Sequence, residues 1–378
     1  MPKSVRFWRC GARLILNVRP LRAVIMTAPT DRIVTPEVRR PFRWQRPLAA
    51  LLEVIGVFIV GTLIARLASR GLALGPANIR ALEPGVEPDF LRLSWSTGAN
   101  LLLRYGVVLG LAFAVGWWHR RRRLSEYGMT TTGRSFREHV GMAVLLFAAA
   151  GILPIFLKVL PAFVPMGPAP PHWALTESLD TPGVWLYLFV GSFGLVPIVE
   201  DLLFRGYIQS RLAEDFGPSA AILLTAVFFT FSHRQYFLAS AIGVGMLASL
   251  LIASIAGGYV RHRTGSLLPV IIAHALGNLP FRGWLEIAVL GAMVLLVATW
   301  APAIYRYAAQ LWQDVMVWDA VTATVAGFVV LAIVLAQVIL APALLPVSGT
   351  IALGAAVILE FLEKRSNTRC TRRPLVQS

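Results

Sequence analysis

The chain has 378 residues, of which 57% are hydrophobic and only 14% are charged, although its formal net charge is +16. A soluble domain usually carries about 25% charged residues, so this composition excludes an ordinary soluble enzyme and predicts a polytopic membrane protein. The basic excess is then typical of loops on the cytoplasmic side of a membrane rather than of nucleic-acid binding. Two cysteines, Cys10 and Cys370, provide neither a disulfide framework nor a cysteine metal cluster.

Apolar runs alternate with short polar breaks from Pro47 onward, and most approach the roughly 20 residues that a helix needs to cross a bilayer. We therefore predict an all-α fold, a transmembrane bundle of about eight to ten helices. The candidate spans are 49–69, 98–118, 139–163, 183–210, 217–237, 238–259, 265–281, 284–304, 318–342 and 346–362.

Basic and apolar segments also predict the organisation of the chain. Lys and Arg are concentrated where this layout places the cytoplasm, whereas the loop at 163–182 has none. Both termini are therefore expected in the cytoplasm, in a multi-pass protein of the plasma (inner) membrane of a bacterium. The predicted segments are a basic N-terminal segment (1–47), N-terminal membrane helices (48–180), a central membrane domain of about four to five helices (181–285), C-terminal membrane helices (286–362) and a basic tail (363–378).

Ionisable side chains within a membrane helix are costly unless they are paired or face water, so each one is a candidate for function. Arg104 stands alone and is expected to extend toward the interface. Four others lie near predicted helix ends, where they can reach the headgroups: Glu53, Lys158, Glu286 and Glu360. The remaining five fall within one stretch of the chain: Glu200, Asp201, Arg205, His233 and His274.

Two adjacent carboxylates begin this stretch. On a helix Asp201 and Arg205 are four residues apart and share a face, which suits an ion pair. Glu200 points about 100° away and has no local counter-charge. A carboxylate removed from water in this way suits a general base that works near neutral pH. The alternative is a buried salt bridge that only orients the helices.

Histidine and asparagine follow on later apolar runs. His233 ends the segment Phe229-Thr230-Phe231-Ser232-His233, and by itself it is more typical of a hydrogen-bonded structural residue. His274 and Asn278 are four residues apart and lie on one helical face. A carboxylate, two histidines and an asparagine inside a membrane can activate water and donate hydrogen bonds to an oxyanion. An interhelical hydrogen-bond network is the structural alternative.

The order of these motifs resembles a known family. Glu200-Asp201-x-x-x-Arg205, Phe229-x-x-x-His233 and His274-x-x-x-Asn278 look like the three motifs of the CPBP family of intramembrane proteases. That family includes type II CAAX prenyl endopeptidases and bacteriocin-processing or Abi-like membrane proteins. The resemblance covers roughly residues 183–285, and it departs in one respect, since the family usually has glutamate where this chain has Asp201.

The resemblance implies a role for each residue. Glu200 would be the general base, and His233 would position the attacking water. His274 and Asn278 would stabilise the oxyanion, while Asp201 and Arg205 would shape the site. The expected activity is hydrolysis of a peptide or prenyl-peptide substrate, with membrane lipid and a membrane-associated peptide or protein as partners and no nucleic acid. Two further hypotheses stay open, a scaffold or bacteriocin-immunity-type protein without activity and an ion-coupled transporter.

The cofactor stays open as well. Glu200, His233 and His274 are the three residues that would bind zinc or another divalent metal and leave a fourth position open. A glutamate that binds the metal is not free to act as the base, and the chain has no His-Glu-x-x-His motif. The alternative is a glutamate-dependent mechanism without a metal.

The depth of these residues presents a conflict. Spans of equal length place Glu200 toward the inner face and His233 toward the outer face, roughly 15 Å apart, which is too far for one site. Either the fourth span is shifted to about 188–211, which brings Glu200 near its middle, or the fifth span is short and tilted. We expect the shift, because Tyr207 and Ile208 extend the apolar run.

Overall fold

The computed structural model describes residues 45–75, 88–120, 124–129, 133–167, 173, 179–238 and 240–315. Within these ranges the chain forms helices and no strand, so the predicted all-α membrane bundle is confirmed. The helices are α1 (Gln45–Gly71), α2 (Phe90–Arg120), α3 (Phe136–Val159), α4 (Val184–Phe216), α5 (Pro218–Ser232), α6 (Ala241–Thr264), α7 (Leu268–Gly277) and α8 (Trp284–Val315).

Six of the described helices are long and apolar enough to cross a membrane, namely α1, α2, α3, α4, α6 and α8. Helices α5 and α7 are too short, because about 22 Å and about 15 Å of helix do not span a hydrocarbon layer of about 30 Å. The prediction of full spans at 217–237 and 265–281 is therefore wrong. The predicted spans 318–342 and 346–362, the tail at 363–378 and Glu360 lie outside the described residues, as does nearly all of segment 1–47 with Cys10.

Helix α5 is short because both of its ends are fixed by local backbone chemistry. Gly217 has a φ of +80°, which favours glycine, and it turns the chain between α4 and α5. Pro218 follows at the first helical position, where a missing N–H costs nothing. At the other end His233 leaves the helical conformation at φ −90° and ψ 61°. His233 therefore lies at the depth of the bundle interior instead of at the outer face.

Helix α4 is the long central element, and it is not a regular α-helix throughout. Two π-helical segments, Phe189–Phe193 and Leu202–Ile208, lie on either side of the regular turn that carries the two acids. Pro197 explains the first of them, because it cannot donate to the carbonyl four residues earlier and its ring would clash with that carbonyl. The chain instead forms a wider turn in which the Gly194 N–H donates to the Phe189 carbonyl at 2.8 Å.

The length of α4 and the shortness of α5 together remove the conflict of depth. Helix α4 runs over 33 residues, with Glu200 close to its midpoint. The expected shift to 188–211 is thus replaced by a longer helix with the same centre. His233 comes to the same depth because α5 stops after 15 residues.

The other helices are arranged around α4. Helices α1, α2, α5, α6 and α7 contact it directly, and α3 packs against α6, α7 and α8. The largest buried cluster lies between α1, α2, α4 and α5, with Val54, Val108, Leu203 and Leu224 each no more than 1% exposed. Burial of such side chains contributes about 1.5–3 kcal/mol each relative to exposure in water, although inside a bilayer close packing contributes more than hydrophobicity.

Ionisable residues near the helix ends pair with one another across helices, and their positions in the sequence did not indicate this pairing. The buried Arg211 guanidinium joins α4 to α1 through Glu53 at 2.6 Å, and it also pairs with Asp215 at 2.7 Å. Lys158 pairs with Glu286 between α3 and α8 at 2.5 Å. Glu53 is 158 residues from Arg211 and Lys158 is 128 residues from Glu286, so these two pairings depend on how the helices pack.

Replacement of Arg211 by alanine should destabilise the bundle strongly. The change leaves the Glu53 carboxylate facing a buried region without its counter-charge, and breaking a buried pair costs about 3–5 kcal/mol in soluble proteins. The measurement is thermal unfolding in detergent, with Arg282→Ala as the matched control. The Arg282–Asp180 pair is also close, at 3.2 Å, but both side chains are exposed, so its loss should have little effect. Equal shifts of Tm for the two variants would contradict this account.

Candidate active site

A cavity of about 450 Å³ lies between α2, α3, α4, α5, α6 and α7. Its lining combines apolar side chains such as Leu146, Phe147 and Val270 with a cluster of polar side chains. All six residues that the sequence singled out line this cavity: Glu200, Asp201, Arg205, His233, His274 and Asn278. The structure therefore brings together residues that are as far as 78 positions apart in the chain.

The Glu200 carboxylate has two oxygen atoms in different environments. Oε1 accepts a hydrogen bond from the hydroxyl of Tyr105 at 2.8 Å. Oε2 is buried and accepts no hydrogen bond from any residue that the structure describes. The Nε2 atoms of His233 and His274 lie 3.8 and 3.9 Å from Oε2. These distances are too long for direct hydrogen bonds, so Oε2 remains available to another partner such as a water molecule.

His233 is held by the end of its own helix. Its Nδ1 lies 2.7 Å from the Phe229 carbonyl. A carbonyl only accepts hydrogen bonds, so this contact assigns the proton of a neutral ring to Nδ1. The Nε2 lone pair is then directed toward Glu200. The ring also stacks with Tyr236 at an interplanar angle of 18°, which fixes its plane.

His274 is held by an acid instead of by a carbonyl. Its Nδ1 lies 3.2 Å from Oδ2 of Asp201, and its Nε2 faces Glu200. A carboxylate behind a histidine fixes both the tautomer and the orientation of the ring. The sequence did not indicate this contact, because the spacing of 73 residues between the two positions carries no periodic signal.

Asp201 and Arg205 form the ion pair that their spacing predicted, with Nη1 and Oδ1 3.0 Å apart. Both side chains are almost fully buried. The Arg205 guanidinium also donates to Ser254 on α6 at 2.9 Å and lies 3.9 Å above the ring of Phe229 on α5. The pair therefore connects α4 with two neighbouring helices, and Asp201 connects it with α7 through His274.

Asn278 lies at the C-terminal end of α7, where its side chain contacts the backbone of α4. Its Nδ2 donates to the Ser192 carbonyl at 3.1 Å, and the Ser192 hydroxyl donates to the Asn278 carbonyl at 3.3 Å. One of the two amide N–H bonds thus holds the first π-helical segment of α4. The predicted oxyanion role of Asn278 would use its second amide N–H bond.

Two cavity residues on α2 were not identified as part of the site from the sequence. Tyr105 is an aromatic residue within an apolar run, a common pattern without functional meaning, and only the folded structure shows its hydrogen bond to Glu200. Arg104 was expected to extend toward the interface, but it lines the cavity, and its guanidinium lies 5.7 Å from the centre of the Tyr105 ring. The one sequence signal that could have placed α2 at the site was Arg104, an arginine in the middle of a membrane helix.

The three predicted metal ligands do not form a metal site as they are placed. In the part of the chain that the structure describes, no group of three or more His, Cys, Asp or Glu side chains is arranged to hold an ion. Oε1 of Glu200, moreover, is engaged by Tyr105. The metalloprotease prediction is therefore not supported, and the chemistry is derived below from the side chains alone.

Comparison with protein families identifies one segment of the chain. Residues 182–280 match the family described as type II CAAX prenyl endopeptidase Rce1-like. Searches of curated proteins and of solved structures give no match. The matched segment begins just before α4 and ends just after α7, so it holds both acids, both histidines and Asn278. The resemblance drawn from the three motifs is thereby confirmed, since residues 182–280 of this multi-pass membrane protein are similar to the CPBP/CAAX protease family.

Proposed function

We propose that this chain is an intramembrane endopeptidase in which Glu200 activates a water molecule to hydrolyse a peptide bond. The observation that carries the proposal is the environment of Oε2, a buried carboxylate oxygen that accepts no hydrogen bond from the described residues and faces two imidazole nitrogens. A buried polar atom left without a partner is costly. It is retained most readily where a substrate or a reacting water supplies the missing bond.

The attacking water is held by two acceptors in this proposal. It donates one proton toward Oε2 of Glu200 and the other toward Nε2 of His233, whose lone pair is free because Nδ1 carries the ring proton. The oxygen lone pair then points away from both acceptors and toward the substrate carbonyl carbon. As the carbon–oxygen bond forms, Glu200 takes the proton, which is the role of a general base.

The tetrahedral intermediate carries a negative oxygen that needs a donor. His274 supplies it when Nε2 is protonated, and Oδ2 of Asp201, 3.2 Å from Nδ1, holds the ring in the orientation that directs Nε2 into the site. The second amide N–H of Asn278 is the other donor. When the carbon–nitrogen bond breaks, Glu200 returns its proton to the leaving amine, so the reaction consumes one water and regenerates the enzyme.

The substrate class follows from the cavity and the family. A site lined largely by apolar side chains, near the middle of a membrane helix, suits a peptide with an apolar or lipid-modified segment. The family matched by residues 182–280 is named for prenyl endopeptidases of the CAAX type. A membrane-associated peptide or protein, including a prenylated one, is therefore the proposed substrate.

Replacement of Glu200 by glutamine should abolish hydrolysis and leave folding intact. The amide keeps the shape of the side chain but cannot accept a proton at neutral pH, so a loss of at least about 10²-fold in kcat is expected for a missing general base. The assay follows cleavage of fluorogenic peptides, with and without a prenyl group, by the purified protein in lipid.

The control for this experiment is Glu286→Gln, which changes another membrane-embedded acid that pairs with Lys158 outside the cavity. It should retain turnover per folded molecule. Full activity of the Glu200 variant would remove this residue from the mechanism. Absence of cleavage by the wild-type protein on every peptide would favour the scaffold hypothesis instead.

Removal of divalent metals should leave the activity unchanged, because the proposed mechanism uses only side chains and water. The test is incubation with a strong chelator, followed by dialysis and the same cleavage assay. A loss of activity that zinc or another divalent ion restores would contradict the glutamate-dependent mechanism and would assign Glu200, His233 and His274 as ligands.

Disruption of the Asp201–Arg205 pair should separate folding from catalysis. Arg205→Ala and Asp201→Ala each strand a buried charge, which costs about 3–5 kcal/mol in soluble proteins, so less folded protein should be recovered. The double variant should recover part of this stability but not the turnover, because His274 has lost the acceptor that orients it. Thermal unfolding and cleavage per folded molecule measure the two effects. A double variant with normal kcat would contradict the orienting role of Asp201.

A further inference from the structure

Helix α2 contributes to the site although it lies outside the segment that matches the protease family. Its residue Tyr105 is 8% exposed and donates a hydrogen bond to Oε1 of Glu200 at 2.8 Å. Among the described residues this is the only hydrogen bond that the Glu200 side chain makes, so α2 supplies what the matched domain does not.

The consequence of this bond is a difference between two otherwise equivalent oxygens. A free carboxylate can rotate about its last bond and present either oxygen to a neighbour. With Oε1 held by Tyr105, Oε2 alone is directed toward the two histidine Nε2 atoms at 3.8 and 3.9 Å. Reacting groups that are held within about 0.5 Å of their working positions react much faster than loosely held ones.

We propose that Tyr105 is a positioning residue that holds Glu200 so that only Oε2 serves as the base. This inference rests on the proposed function, because it assigns Tyr105 a role in that same reaction. Its hydroxyl donates to Oε1 of Glu200, so the tyrosine acts through Glu200. On this account α2 takes part in the site together with the helices of the matched segment.

A second tyrosine provides a matched control for this idea. Tyr207 is 1% exposed, and its hydroxyl donates to the Glu53 carboxylate at 3.2 Å. Both tyrosines therefore donate from a buried helix position to a glutamate on another helix. Tyr207 does not line the cavity, so its hydroxyl serves only the packing of α4 against α1.

The kinetic experiment compares Tyr105→Phe with Tyr207→Phe. A hydrogen bond to a charged group is worth enough to predict that Tyr105→Phe lowers kcat by about 10–100-fold, while KM changes by less than about two-fold. Tyr207→Phe should keep the wild-type kcat per folded molecule. A wild-type kcat for Tyr105→Phe, or a similar loss of kcat in both variants, would overturn the positioning role.

The spectroscopic experiment tests the contact without any substrate and without removal of the hydroxyl. A 3-fluorotyrosine is incorporated at position 105 or at position 207, and the ¹⁹F resonance is compared between Glu200 and the Glu200→Gln background. The signal from position 105 should shift when Glu200 is changed, and the signal from position 207 should not. An unchanged signal from position 105 would overturn the inference even if Tyr105→Phe fails to fold.

The two experiments also distinguish this inference from the function on which it rests. A shifted ¹⁹F signal with no cleavage by the wild-type protein would show that Tyr105 contacts Glu200 but would overturn the proposed function. The positioning role of Tyr105 in catalysis would then be overturned as well. Cleavage by the wild type together with an unchanged ¹⁹F signal would overturn the role of Tyr105 and leave the proposed function standing.

Discussion

The packing of the helices around the site depends on the buried guanidinium of Arg205. A charge at this depth is tolerated only when its surroundings compensate it. Asp201 supplies the counter-charge, the Ser254 hydroxyl accepts a hydrogen bond, and the face of Phe229 lies 3.9 Å away. These partners come from three helices, so satisfying one side chain fixes how α5 and α6 pack on α4. Asp201 extends the same constraint to α7, because its second oxygen contacts His274.

The two adjacent acids have different partners, and this difference agrees with the separate roles proposed for them. Asp201 contacts Arg205 through one oxygen and His274 through the other, which fits the structural and orienting role proposed for it. Glu200 is held on one oxygen and left open on the other. The aspartate that replaces the family's usual glutamate is long enough for its tasks, since it reaches Arg205 at 3.0 Å and His274 at 3.2 Å. The departure from the family pattern is thus accommodated by the packing of α7 against α4.

Irregular backbone places these acids where the other helices can reach them. The two π-helical segments of α4 lie directly before and after the turn that carries Glu200, and such segments occur frequently at functional sites. Asn278 holds the first segment through Ser192. Gly206 in the second segment allows the loop at Tyr127 to approach, since a Cβ atom there would lie 3.2 Å from the Tyr127 carbonyl. Local distortion and side-chain contacts therefore support the same geometry.

Composition and local pattern determined the all-α membrane class, the centre of the bundle and the ion pair of Asp201 with Arg205, because hydropathy and the spacing of four residues act within one helix. The tertiary structure decided what depends on contacts between helices: the pairing of Glu53 with Arg211, the position of His233 at the end of a short α5, the contact of Asp201 with His274 and the contribution of Tyr105 from outside the matched domain. A single sequence has no periodic signal for such contacts, since the partners are separated by tens of residues and meet only when the helices pack.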